Sequence, residues 1–251
     1  MLRFFRQIRK TLMEQNKART YLLYAIGEIL LVVIGILIAI QINTAFDNRA
    51  KAEKHQRLVN DLYSEYAENL DQLNTVIYYH QLVYDSGLRL LELILVGGEG
   101  STQNEIRQLL YENSYRWTFD PLNGVLASSI SSGDIHLLKN DSLKVMLFSW
   151  EDRVLDAREE QDRANADYNG INSYLNDHVM VADVLMHDPS GYGVRESPFQ
   201  SNYWQIFKDR TYENLISNRV TYTADVLTEL EPLREMNMQV LQLLEEERGD
   251  L

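Results

Sequence analysis

Residues 21–43 read YLLYAIGEILLVVIGILIAIQIN, and between Tyr21 and Ile42 only Glu28 and Gln41 are strongly polar. About 20 apolar residues rising ~1.5 Å each reach across a bilayer hydrocarbon core of ~30 Å. A soluble core helix seldom sustains such a run with basic residues on one flank alone. The stretch therefore predicts a transmembrane helix over 21–43, with Tyr21 and Tyr24 at one interface and Phe46 at the other.

The flanks orient the span. Residues 1–20 carry Arg3, Arg6, Arg9, Lys10, Lys17 and Arg19 against Glu14 alone, whereas the whole chain of 251 residues has a formal charge of −13. Positive charge stays on the cytoplasmic side, so residues 44–251 are expected to be periplasmic, beyond a bacterial inner membrane. Gln41-Ile42-Asn43 is not a small-residue cleavage site, which makes the span an uncleaved signal anchor. Leu2, Phe5, Ile8 and Leu12 recur at helical spacing among Arg3, Arg6, Arg9 and Lys10. That pattern suits a short amphipathic cytoplasmic segment, residues 1–20, lying on the anionic inner leaflet. The acidic remainder excludes nucleic acid as a partner.

Within the span, Glu28, Val32, Gly35 and Ala39 share one helix face. Gly35 and Ala39 form a small-xxx-small pair that admits a second helix. Intramembrane carboxylates usually face protein, so the face is read as a helix–helix interface. Glu28 snorkelling to the cytoplasmic headgroups is the competing account.

Four prolines, twelve glycines and no cysteine favour long unbroken helices and exclude disulfides and thiolate sites. The helix is expected to continue past Asn43, with a stripe of Leu62, Tyr66, Leu70, Leu73, Ile77, Tyr84, Leu88, Leu91 and Leu95. It stops at Gly97-Gly98-Glu99-Gly100. Thr102 and Glu105 form a capping box for a short helix. Asp120-Pro121 is read as the start of another, ended by Gly133. Asp141 is read as the cap of a long helix with a heptad seam: Leu143, Leu147, Trp150, Val154, Ala157, Gln161, Ala164, Tyr168, Ile171, Leu175, His178, Ala182 and Leu185. The spacing leaves open whether this coiled-coil-like seam packs within one chain or between chains. After a loop over 188–202, a last helix reaches Arg248 with a stripe of Ile216, Val220, Thr223, Leu227, Leu230, Arg234, Met238, Leu241 and Leu244, bent at Pro232. The expected fold is all-α: one transmembrane helix leading into an antiparallel extramembrane bundle over 44–251.

The opening segment resembles that of a family of uncharacterised single-span bacterial membrane proteins. The resemblance is carried by Arg6-Gln7-Ile8-Arg9-Lys10, then by Tyr24, Gly27, Glu28, Gly35, Ala39, Gln41 and Asn43 in the signature YAIGEIxLVVIGILIAxQIN. Residues 126–140 (LASSISSGDIHLLKN) match a second family segment, whereas Thr44 stands where an aromatic residue is usual. The resemblance implies topology and helical fold and transfers no catalytic residue.

No pattern specifies a reaction. His178, Asp183 and His187 are spaced by five and four, which does not gather three ligands on one face, and His178 reads as a core histidine. Asp167-Tyr168-Asn169-Gly170 lacks the remaining ligands of a calcium loop. Ser128, Ser129, Ser131 and Ser132 lack a nucleophile elbow, and the Gly97–Gly100 cluster follows no strand. Trp117, Trp150 and Trp204 with the fifteen tyrosines read chiefly as core, with a recognition surface as the alternative. The expectation is a non-catalytic accessory subunit, without cofactor or metal, that stabilises other inner-membrane subunits through its span and bundle. A self-assembling homo-oligomeric anchor and an extracytoplasmic sensor are the alternatives. The sensor ranks lower because twenty inner residues make a poor output domain.

Overall fold

The computed structural model describes residues 18–188 and 193–249, which contain helices and no strand. Among the described residues there are six α-helices: α1 (Ala18–Leu95), α2 (Gln103–Glu112), α3 (Gly124–Ser132), α4 (Asp141–His178), α5 (Val181–Leu185) and α6 (Arg210–Gly249). Short 3-10 turns cover Asp134–Leu137 and Tyr203–Lys208. The chain forms two compact units divided between His55 and Gln56.

In the first unit α1 is apolar from Leu22 to Ile42 and polar beyond. From Leu22 to Lys54 every side chain except that of Ala25 is exposed. This is the one stretch among the described residues long and apolar enough to cross a membrane.

In the second unit three long helices share a core. Residue pairs fix their directions. Asn140 meets Glu247, Ala164 meets Arg219, and Tyr174 meets Asp209, so α4 and α6 are antiparallel. Tyr63 lies against Arg248, and Gly87 against Val220, so the 56–95 part of α1 is also antiparallel to α6. It therefore runs parallel to α4. Parallel neighbours need a return crossover, and residues 96–140 supply it.

Two apolar clusters fill the bundle. One joins Leu62, Tyr66 and Leu73 to Leu143, Leu147 and Trp150 and to Val226, Leu230 and Val240. The other joins Leu90 and Leu93 to Ile106, Ile171, Leu175, Ile206 and Tyr212. The seam residues from Leu143 to Leu175 are thus buried inside this chain, apart from half-buried Val154.

Several boundaries differ from the sequence reading. α3 starts at Gly124, four residues past Asp120, and its preceding residue Asn123 makes no side-chain cap. Asp120 instead pairs with Arg158 and accepts from the Thr118 hydroxyl. Asn140, not Asp141, caps α4 by accepting the Leu143 amide at 3.1 Å. Asp141 turns outward to Lys144. The seam ends with α4: His178 is exposed and stacked on Tyr174, with ring centroids 3.9 Å apart, and Leu185 is exposed.

The buried faces of α1 and α6 also shift. Beyond Ile77, α1 buries His80, Val83, Ser86, Gly87, Leu90 and Leu93, while Leu88 and Leu95 are exposed. α6 buries Arg219, Val226, Leu233, Asn237 and Val240, and leaves Met238 exposed. Polar residues occupy core positions on both helices, so counting apolar residues alone misses the true phase.

Gly87 marks the closest approach. A Cβ there would lie 2.6 Å from the Val220 Cγ2. At the end of α1, Gly98 adopts φ +81, a left-handed turn that glycine allows, with Phe207 and Trp204 packed 2.7 Å from where a Cβ would stand.

Candidate functional site

Two features concentrate unusual chemistry: the crossover segment 113–126 and the exposed span.

Between α2 and α3 the crossover runs as an extended strap back along the bundle. Irregular backbone against a core must find hydrogen-bond partners. Here buried polar side chains supply them in sequence. Arg219 of α6 donates to the Tyr115 carbonyl at 2.6 Å, to the Asn113 carbonyl at 3.5 Å and to the Ala164 carbonyl at 2.8 Å. His80 Nε2 donates to the Trp117 carbonyl at 2.9 Å. The Gln161 side-chain oxygen accepts the Phe119 amide at 2.7 Å while its nitrogen donates to Ala157. Arg158 donates to the Phe119 carbonyl. Asn69 both accepts from and donates to the backbone of Leu122, each at 2.8 Å. One turn earlier on α1, Glu65 accepts the Val125 and Leu126 amides. Farther along, Glu247 accepts the Lys139 and Asn140 amides just ahead of α4.

Burial gives these groups altered acidity. Desolvation pulls the His80 imidazole down to about 4, against the smaller opposing effect of its bond to the Trp117 carbonyl. It is neutral at pH 7, which suits a single N–H donor. Arg219 is fully buried, and desolvation lowers its guanidinium to about 10. It stays protonated, held by carbonyl oxygens and by the Tyr168 ring at 5.1 Å. Burial raises the Asp167 carboxyl nearby, where Arg219 opposes the effect.

Outside the strap lies an open cleft of about 750 Å³ lined by side chains of α1, α4 and the strap. Trp117 lines it, 41% exposed, stacked parallel to Tyr79 at 4.4 Å.

Among the described residues His178, Asp183 and His187 form no three-ligand cluster. The Asp183 carboxylate accepts from Arg107, the Tyr203 hydroxyl and the Ser197 amide, while His178 stacks on Tyr174. Asp167-Tyr168-Asn169-Gly170 lies inside α4. Ser129 is buried and donates to the Leu126 carbonyl, within α3.

On the span, Glu28, Val32, Gly35 and Ala39 are all exposed within the chain, and a Cβ at Gly35 would meet nothing within 4 Å. Arg3, Arg6, Arg9 and Lys10 lie outside the described residues.

The strap pins escaped the sequence reading, which followed apolar periodicity. One signal was present: Gln161 stood out as a polar residue in an apolar seam, and its partner is the strap backbone. Asn69 and Glu65, four apart on α1, lie outside the predicted stripe and gave no such signal.

Against this geometry, the family of unknown function DUF6090 matches residues 28–157, which takes in the apolar stretch from Glu28 onward, the strap and the first part of α4. No curated protein and no solved structure matches the chain.

Proposed function

We propose a structural role for this chain, which belongs to the family of unknown function DUF6090. Residues 21–43 anchor it in a bacterial inner membrane, with the basic N-terminus cytoplasmic and residues 44–251 periplasmic. It is a non-catalytic accessory subunit that binds and stabilises other subunits of a larger membrane assembly.

The observation that carries this reading is the exposure of the apolar stretch of α1, unbroken from Ile26 to Ile42. From Leu22 to Ile42 no side chain is buried against the chain's own residues. Lipid can cover an apolar face. It is a poor neighbour for a face bearing Glu28, and Gly35 with Ala39 opens that face to close helix approach. Arg3, Arg6, Arg9 and Lys10 would add contact with the inner leaflet. The bundle's large apolar residues are mostly spent on its own core, which suits a rigid spacer.

Extraction in a mild detergent followed by native electrophoresis tests the reading. Co-migration with other membrane proteins is expected, and a lone monomer under all conditions contradicts it. Self-association is the second reading, favoured by the Gly35–Ala39 pair alone. The 143–175 part of the seam no longer supports it, because those side chains face inward.

A further inference from the structure

The open cleft beside the strap has a chemistry that the anchoring role does not use. We propose that it is a carbohydrate-binding site, with Trp117 as the platform for a pyranose ring. This goes beyond the accessory-subunit reading and does not depend on it.

The platform comes first. Trp117 lines the cleft with an indole 41% exposed, whereas Trp150 and Phe119 are buried in the core. Trp117 is also held in place. Tyr79 stacks against it with a 2° angle between rings, and Tyr115 packs edge-on behind Tyr79 at 4.6 Å. The His80 bond to the Trp117 carbonyl and the Arg219 bond to the Tyr115 carbonyl fix the backbone on both sides. A flat apolar surface ordered before binding costs a ligand little to use.

The surroundings select the ligand. Gln72 and Asn165 bring amides to the cleft, Ser114 and Thr118 bring hydroxyls, and Arg116 brings a guanidinium seated over the Tyr168 ring. Each amide both donates and accepts, while the Ser114 and Thr118 hydroxyls, which already donate to the Tyr111 carbonyl and to Asp120, keep acceptor lone pairs for a ligand. The Asn165 side-chain oxygen is buried at the cleft wall and has no donor within the chain, which leaves an acceptor for a ligand hydroxyl. Asp120, at the rim, is already paired with Arg158. The wall is therefore close to neutral and rich in groups of both hydrogen-bonding senses. A sugar matches it: C–H bonds on one ring face lie on the indole, and equatorial hydroxyls reach the amides.

Two other ligand classes fit less well. A polyanion meets one exposed cation on a chain of charge −13. A proline-rich peptide is recognised by grooves between parallel aromatic ridges, whereas this cleft has one platform ringed by amides and hydroxyls. The cleft is open and shallow, which suits a chain of sugars lying across it better than an enclosed monosaccharide.

The full chain, purified in a detergent without a sugar headgroup, is titrated with cello-, malto-, xylo- and chito-oligosaccharides while tryptophan fluorescence is followed. Ligand-observed saturation-transfer NMR is recorded on the same samples. At least one series is expected to give a saturable response, with the ring C–H protons most strongly saturated. Trp117→Ala is expected to weaken it about tenfold, the loss that one stacking contact corresponds to. Asn165→Ala and Arg116→Ala, at part-exposed and exposed positions, should weaken it too, and they keep the test decisive if Trp117→Ala fails to fold. No saturable response to any series would overturn the proposal. So would a response unchanged in Asn165→Ala and Arg116→Ala, or a response to an oligoproline peptide and to no sugar.

Discussion

Glu65 of α1 caps α3 at Leu126: one carboxylate oxygen accepts the Leu126 amide at 3.0 Å and the other accepts the Val125 amide at 2.7 Å. A helix that lacks its own capping side chain is thus started by a residue about sixty positions earlier. The negative charge also meets the positive end of the helix dipole.

This predicts that Glu65→Ala destabilises the chain by about 2–3 kcal/mol, because two amides lose a charged acceptor in a buried place. Glu65→Gln should be nearly as harmful. Its amide offers one acceptor and points donors at the second N–H. Urea unfolding of the detergent-solubilised protein, followed by circular dichroism, checks both. A Gln variant as stable as the parent would show that charge and bidentate geometry are unimportant there.

Gly87 and Val220 set the distance between α1 and α6. Gly87→Ala forces a Cβ to 2.6 Å from the Val220 Cγ2, and overpacking of this kind costs about 1–3 kcal/mol. Alanine's better helix propensity returns up to ~1 kcal/mol of that. The double variant Gly87→Ala, Val220→Ala should recover much of the loss, giving a coupling energy clear of additivity. A melting temperature raised by Gly87→Ala alone would contradict the close approach.

His80 makes stability depend on pH. Its folded-state acidity lies near 4, below the ordinary histidine value of about 6.5. The unfolded chain therefore takes up a proton that the folded chain refuses. Stability from this group is complete above about pH 6.5, falls as the pH drops toward 4, and levels off below. The loss is roughly 3 kcal/mol across that window. His80→Gln keeps a donor for the Trp117 carbonyl and should flatten this part of the profile. Denaturation midpoints measured from pH 7 to pH 4 in both proteins test it, and parallel profiles would refute the assignment.

The helical plan was readable from residues alone: the apolar run at 21–43, the stop at Gly97–Gly100, the Thr102 cap and the Leu143–Leu175 seam all name their own structure. The start of α3 was not, because its cap comes from Glu65 across the bundle and leaves no local trace. The phase of α1 beyond Ile77 was hidden because His80 and Gly87 face inward, one to hold the strap and one to admit Val220. On α6 the same holds for Arg219, whose partners are carbonyls more than fifty residues away. The span stripe at Glu28, Val32, Gly35 and Ala39 was legible as a face; the strap and its cleft arise from tertiary hydrogen bonds that no periodicity encodes.

Crosslinking from the span tests its role as a docking surface for other proteins most directly. The chain has no native cysteine, so Gly35→Cys introduces a single thiol on that stripe, and Leu37→Cys places one about 200° around the helix as a control. Both variants are treated in native membranes with a short cysteine-to-amine crosslinker, and the adducts are identified by mass spectrometry. Expected is a heavier band joining the Gly35→Cys chain to a different membrane protein, weakened by Glu28→Ala and much fainter for Leu37→Cys. A homodimer as the sole adduct, or no adduct at either position, would contradict that role.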